Sequence, residues 1–167
     1  SELVKKVAHV GVEGLGADDK ARLPQLVLDD AQHRAWFDRV MASMDEEGDG
    51  HGHAHGHGEA ADPHAADAQT AASPMPPADA VYAAQVVWDE SMADAAARWL
   101  AHGQRIVILA GDGHCHDSAI VRRLQRRGVA PVVSVRPVVD DGHGNVAAAL
   151  AEGINDYLFV MTPPAGR

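Results

Sequence analysis

The chain has 167 residues, 46% of them hydrophobic, and a formal net charge of −10. This length suits one domain with a sizeable core, and so negative a charge argues against nucleic acid or anionic lipid as a partner. No window reaches the roughly eighteen apolar residues that a membrane span needs, and the single cysteine, Cys115, excludes an intramolecular disulfide and a CxxC motif.

Apolar residues at helical spacing mark the first part of the chain. The pattern predicts a helix from residue 2 that stops at the glycines 14 and 16, and a second helix over residues 29–44. Residues 45–77 are rich in Gly, His, Ala, Asp and Pro, so we expect a disordered, low-complexity insert between two helices. Alternating imidazoles within it could bind a divalent metal weakly; they are His51, His53, His55 and His57.

The second half of the chain alternates between helix and strand patterns. The expected elements are helices over residues 78–102, 117–127 and 145–152 and strands over residues 105–110, 131–139 and 156–162. Asp117 is expected to cap its helix. This order predicts an α/β fold with a parallel sheet flanked by helices, and a helical subdomain that carries the insert. Ligands of such sheets bind outside the carboxyl ends of the strands, which points to residues 111–117.

A glycine-rich turn with histidines follows the most hydrophobic predicted strand. Gly111 and Gly113 permit a tight turn and close approach of a ligand, and His114 and His116 could ligate a metal or haem iron or transfer a proton. The competing interpretation is an ordinary turn with incidental histidines. A serine or cysteine hydrolase is disfavoured, because neighbours on one turn point in different directions and no G-x-S-x-G elbow is present.

The long helix carries polar residues on a side that should be buried. Its apolar stripe includes Trp88 and Trp99, which we expect to be buried and to fix the rotation of the helix. The residues that stack along one side of this stripe are Tyr82, Gln85, Asp89 and Met92. Buried polar groups cost free energy unless they find partners. Gln85 and Asp89 are therefore expected either to bond to nearby backbone groups or to face the 111–114 turn as part of a site.

Two segments resemble a known family. Residues 82–93, Tyr-Ala-Ala-Gln-Val-Val-Trp-Asp-Glu-Ser-Met-Ala, resemble the aromatic-x-x-Gln-x-x-Trp-Asp-x-x-Met-Ala segment of ChaN-like proteins. Those are haem-binding proteins of bacterial iron uptake in the Tiki/TraB/erythromycin-esterase superfamily. Residues 111–114, Gly-Asp-Gly-His, resemble the second of two Gly-x-x-His motifs of that superfamily. The first motif and its glutamate are absent, so we expect residues 1–167 to be one family domain that lacks its N-terminal part.

The resemblance implies non-covalent haem binding near the 111–114 turn and residues 82–92, with Tyr82 and His114 as candidate iron ligands. The further candidate residues around the cofactor are Gln85, Asp89, Met92, Gly111, Gly113 and His116. It also implies a periplasmic or outer-membrane-associated lipoprotein, anchored upstream of this soluble fragment, and a possible homodimer that shares the haem. The alternatives are a Tiki-like metal-dependent hydrolase with His114 as metal ligand, and an inert scaffold domain; a binding protein is favoured over an enzyme.

Overall fold

The computed structural model describes residues 2–48 and 76–163, without the side chains of residues 45–48. Its helices and strands are α1 (Glu2–Val10), α2 (Ala17–Lys20), α3 (Ala31–Gly48), α4 (Ala78–Leu100), α5 (Arg122–Arg126), β1 (Val135–Val139), α6 (Asn145–Glu152) and β2 (Tyr157–Met161). Most of the predicted insert, with His51, His53, His55 and His57, lies outside the described residues. In the part of the chain that is described, none of the helices is both long and apolar enough to span a membrane.

The sheet joins β1 and β2 in parallel, with Val135 opposite Tyr157 and Val139 opposite Met161. α6 connects the two strands, as a parallel pair requires a crossover. β1 begins later than predicted, at Val135; just before it, the Ser134 N–H donates to the Asp156 carboxylate at 2.8 Å and the Ser134 carbonyl accepts from the Tyr157 N–H at 3.1 Å. The predicted α/β class with a parallel, helix-flanked sheet is confirmed.

The prediction of a strand over residues 105–110 is wrong, because this segment does not pair with another strand among the described residues. Ile108 and Ala110 pack against the helices, whereas Val107 and Leu109 are 85% and 92% exposed. A strand needs a neighbour to take up its backbone hydrogen bonds, and no described segment pairs with this one. The apolar run therefore adopts an extended path without a ladder.

The buried side of α4 is also different from the predicted stripe. Trp88 and Trp99 are 47% and 56% exposed. The small side chains of Ala83 and Ala84 let α1 approach closely, and Val7 of α1 is fully buried there. The buried residues of α4 are Ala80, Tyr82, Ala83, Ala84, Val86, Val87, Asp89, Glu90, Ala93 and Ala96. The largest apolar side chains therefore do not define the core face of this helix.

The helix after the 111–114 turn begins differently from the prediction. Residues 117–121 form a wide π-type turn that leads into α5. Asp117 does not cap it: its carboxylate accepts a hydrogen bond from Ser134 Oγ at 2.7 Å, and its N–H donates to the Ile154 carbonyl at 2.8 Å. These two bonds attach the turn to the sheet and thereby fix the position of the preceding residues.

Candidate functional site

Two polar residues of α4 contact the 111–114 turn. Gln85 Nε2 donates to the Gly113 carbonyl oxygen at 2.7 Å, and His114 Nδ1 lies 2.6 Å from Asp89 Oδ1. Gln85 and Asp89 are four residues apart and therefore share one side of the helix. The juxtaposition expected from the buried polar side chains is present for these four residues, while their roles toward a ligand stay predictions.

Asp89 is fully buried and remains ionised. Burial alone would raise the pKa of its carboxyl, but hydrogen bonds from His114 and His33, together with the charge of Arg123, lower the pKa below its ordinary value. His33 Nε2 lies 3.2 Å from Asp89 Oδ2, and Arg123 Nη1 lies 3.7 Å from the same oxygen. The carboxylate therefore has a cationic or donor group at each oxygen.

The ionised Asp89 determines which nitrogen of His114 is available to a ligand. A carboxylate only accepts hydrogen bonds, so Nδ1 of His114 carries a proton, and in the neutral imidazole Nε2 keeps its lone pair. Gln85 Nε2 also lies 3.2 Å from Nδ1, but with Nδ1 protonated both atoms are donors, so this contact is not a hydrogen bond; Nε2 donates to Gly113 instead. Within residues 2–48 and 76–163, His114 Nε2 has no hydrogen-bond partner. It is also not among the polar atoms that are buried without a partner, so it is accessible from outside the protein. A carboxylate that orients an imidazole in this way is typical of metal-ligating histidines.

The surroundings of His114 are apolar and open on one side. The side chain is 13% exposed, and the Trp88 ring lies edge-on to the imidazole, with 4.9 Å between the ring centroids. Trp88 is itself about half exposed. The apolar ring of Trp88 is thus exposed to solvent next to the imidazole of His114.

His33 is the site residue that the sequence interpretation missed. It is fully buried, with Nδ1 3.2 Å from the Tyr82 hydroxyl and 3.4 Å from Arg123 Nη2. Arginine only donates hydrogen bonds, so Nδ1 is an acceptor and the proton is on Nε2, which lies 3.2 Å from Asp89 Oδ2. The signal was its spacing from the apolar residues of α3, which are Trp36, Phe37, Val40 and Met41.

Tyr82, one of the two predicted iron ligands, lies in the core. Its hydroxyl contacts His33, its ring meets Phe37 edge-on at 5.3 Å, and the Arg34 guanidinium lies 4.9 Å from the ring centroid. Burial raises the pKa of the phenol. The structure therefore places Tyr82 behind the Asp89 carboxylate as a neutral, inaccessible group, and not beside His114.

The remaining predicted residues are divided between two places. Met92 packs with the cluster around Ala93 and Leu124 and not with the turn. His116 is buried; its ring is tilted against Trp36, with 4.1 Å between the ring centroids, and its Nδ1 lies 3.0 Å from Ser118 Oγ. The expectation that neighbours on this turn diverge is therefore wrong for the His116–Ser118 pair.

The two glycines of the turn are not required by backbone conformation. Gly111 has an ordinary φ of −65°, and neither Gly111 nor Gly113 is among the positive-φ glycines. A Cβ on Gly113 would lie 3.5 Å from both Gln85 Nε2 and Trp36 Cη2, which is normal contact distance. Their role in admitting a ligand is an untested prediction.

A second buried carboxylate, that of Glu90, contacts the same arginine as Asp89. Glu90 is fully buried and pairs with Arg127 Nη1 at 2.7 Å, with Arg126 Nη2, and with Arg123 Nε at 3.4 Å. Arg123 also donates to the carbonyl oxygens of Ser118 and Ala119, at 2.7 and 3.0 Å. Glu90 thereby positions the guanidinium that contacts Asp89, and it joins α4 to α5.

A cavity of about 470 Å³ lies next to the turn. One wall is the apolar side of α3, and Val81 and Gln85 of α4 form another. His116 lines it, and its Nε2 is buried without a hydrogen-bond partner in the described part of the chain. Gln85 therefore contacts both this cavity and His114.

The described residues contain no group of three or more His, Cys, Asp or Glu side chains that could hold a metal ion. The thiol of Cys115 donates to the Ala110 carbonyl at 3.2 Å, and burial raises its pKa. A metal held by protein side chains alone would therefore need donors beyond the arrangement around Asp89.

The fold and the site define a mixed α/β protein in which a carboxylate of one long helix orients a histidine of a glycine-rich turn. Residues 1–124 match the family model described as "Haem-binding uptake, Tiki superfamily, ChaN". The chain belongs to this family, which confirms the resemblance noted from residues 82–93 and 111–114. No curated protein and no solved structure matches the chain.

Proposed function

We propose that this chain binds haem non-covalently and that His114 Nε2 is the iron ligand. The observation that carries the proposal is the 2.6 Å contact between His114 Nδ1 and Asp89 Oδ1. It leaves one accessible imidazole lone pair with a fixed direction. The family description, haem-binding uptake, supports the same ligand.

The donor set fits haem better than a bare metal ion. A zinc site needs three or four protein ligands, whereas haem iron needs only one or two because the porphyrin supplies the others. One oriented histidine is therefore sufficient for haem. The half-exposed Trp88 ring beside His114 offers an apolar surface for a flat ring system. Bound haem would supply iron, and the chain's own residues would orient the imidazole that holds it.

The two candidate iron ligands differ in accessibility, which favours His114 over Tyr82. A tyrosine binds ferric iron as a phenolate, and burial of Tyr82 opposes ionisation by raising its pKa. Its hydroxyl is also engaged by His33. His114 can coordinate iron as a neutral imidazole, and no core side chain has to move for it to do so. Tyr82 instead contacts His33, which in turn contacts the Asp89 carboxylate that orients His114.

The test is a haemin titration followed by absorbance. A background variant with His51, His53, His55 and His57 replaced by alanine removes adventitious binding by that tract. In this background, His114→Ala should abolish or shift the Soret band, and Tyr82→Phe should leave its position unchanged. Replacement of the exposed His102 by alanine is the matched control.

Three outcomes would contradict the proposal. An unchanged spectrum for His114→Ala would exclude His114 as the ligand. A lost Soret band for Tyr82→Phe alone would assign the iron to Tyr82. Failure of the parent chain to bind haemin, combined with one tightly held divalent metal ion, would favour the metal-dependent hydrolase.

We also propose that this haem binding serves iron uptake at the periplasmic side of a bacterial envelope, by a lipid-anchored, dimeric protein. The family description supports the uptake role; the location, the anchor and the dimer are what the resemblance of residues 82–93 and 111–114 implies. Sedimentation with and without haemin tests the dimer: the mass of the protein should double when haemin is saturating. A mass that stays monomeric at saturation would contradict the shared site.

A further inference from the structure

The hydrogen bond between His114 and Asp89 has an acceptor that is both charged and buried. Asp89 is fully buried, and its Oδ1 accepts from His114 Nδ1 at 2.6 Å. Hydrogen bonds to an ionised acceptor are shorter and roughly twice as strong as those between neutral groups. A buried charge is also screened much less than a charge in water. The imidazole of His114 therefore has an unscreened negative charge next to Nδ1, the nitrogen that a ligand does not use.

The groups that compensate this charge contact the other carboxylate oxygen. Arg123 Nη1 lies 3.7 Å and His33 Nε2 lies 3.2 Å from Asp89 Oδ2, whereas His114 contacts Oδ1. The other side chains that contact His114 are those of Gln85 and Trp88, and both are uncharged. Among the contacts of His114, the one charged group is therefore negative.

A negative charge in this position acts on the charge of a metal that the imidazole binds. A carboxylate that accepts from the second ring nitrogen makes the imidazole a stronger donor to the metal. Haem iron carries one more positive charge in the ferric state than in the ferrous state, and a nearby anion stabilises the more positive state. Hydrogen bonding around the axial ligand is one of the means by which proteins set the reduction potential of haem. Both effects favour ferric iron.

We propose that Asp89 makes this site selective for ferric over ferrous haem. The inference rests on the proposed function, because it requires His114 as the iron ligand. Asp89 itself does not touch the haem; it determines the selectivity through His114. The buried position of the carboxylate is what gives its charge this effect, since an exposed carboxylate would be screened by water and salt.

Two titrations of the parent chain, in the background without the four histidines of the tract, test the selectivity. Haemin supplies the ferric form, and the anaerobic titration contains dithionite, which supplies the one electron that converts ferric to ferrous haem. We expect the ferric form to bind about tenfold more tightly or better, and each factor of ten lowers the reduction potential of bound haem by about 59 mV. Equal affinity for the two forms, or tighter binding of the ferrous form, would overturn the inference.

Asp89→Asn removes the charge but keeps an oxygen that accepts from His114 Nδ1. The ratio of ferric to ferrous affinity should fall about tenfold, and the reduction potential should rise by about 59 mV. A purely structural role of Asp89 would weaken both forms equally and leave the potential in place, which would contradict the inference. Asp79→Asn is the matched control, because it removes an exposed carboxylate of the same helix, roughly 15 Å away along its axis. Its ratio should equal that of the parent.

A measurement without haem or variants tests the hydrogen bond itself. In ¹⁵N-histidine-labelled protein, neutral His114 should carry its hydrogen on Nδ1, and a hydrogen on Nε2 would overturn the inference. If the parent does not bind haemin, or if His114→Ala binds it with an unchanged spectrum, the proposed function and this inference are both wrong. If His114→Ala loses haemin but the parent binds both oxidation states equally, the proposed function stands and this inference alone is wrong.

Discussion

Protonation of His116 should make the protein less stable in mild acid. Its pKa is lowered from 6.5 to about 4, first because burial removes the imidazolium from water and second because His33 lies beside it. The unfolded chain therefore takes up a proton below about pH 6.5, and the folded protein only near pH 4. Since protons bind the unfolded state more tightly, acidification favours unfolding.

The size of the effect follows from the two pKa values. Between pH 7 and pH 5, linkage at this one group lowers the free energy of unfolding by about 2 kcal/mol. Urea unfolding at pH 7, 6 and 5 measures it. His116→Phe keeps an aromatic ring beside Trp36 but cannot take up a proton, so its stability should fall by about 2 kcal/mol less than that of the parent over this range. His102→Phe, at an exposed site, should behave like the parent. Parallel pH dependences for the parent and His116→Phe would refute the reasoning.

Three further substitutions test the packing and the ion pairs. Glu90→Gln should lower the free energy of unfolding by about 3 kcal/mol in urea, because it leaves three arginines without their buried carboxylate; a loss below about 1 kcal/mol would contradict the ion-pair account. Val7→Ala should cost about 2 kcal/mol and the exposed Val10→Ala on the same helix almost nothing; equal effects would contradict the α1–α4 packing. Asp89→Asn should weaken haemin binding about tenfold or more with the fold retained by circular dichroism; unchanged affinity would separate Asp89 from the function of His114.

The parts of the fold that the sequence predicted are governed by local pattern. α6 has the predicted bounds, and α4 ends only two residues before its prediction. The contact between Gln85, Asp89 and the turn was predictable because buried polar side chains must find partners, and a glycine-rich turn with a histidine offers them.

The parts that the sequence did not predict depend on distant partners. A charged side chain normally indicates solvent, yet Arg123 and Glu90 are fully buried because each neutralises the other across two helices. The site role of His33 depends on Asp89 and Tyr82, which follow it by more than forty residues. Trp88 was predicted to be buried because it belongs to the apolar stripe of the helix, but the close approach of α1 to the alanines of α4 selects a different side. Pairing and close packing of this kind are tertiary, and periodicity within one helix does not contain them.

The side chains and the backbone of residues 105–110 indicate different structures. Ile108 and Ala110 pack on the helices in strand-like alternation with the exposed Val107 and Leu109. No backbone hydrogen bond joins this segment to another described segment. Amide protection in hydrogen exchange requires such bonds, so the amides of residues 105–110 should exchange much faster than the ladder amides of β1 and β2. Exchange as slow as in β1 would show that the segment is paired with another strand. A repeat at high dilution would then assign the pairing: protection lost on dilution requires a second copy of the chain, and protection retained requires a partner within the same chain.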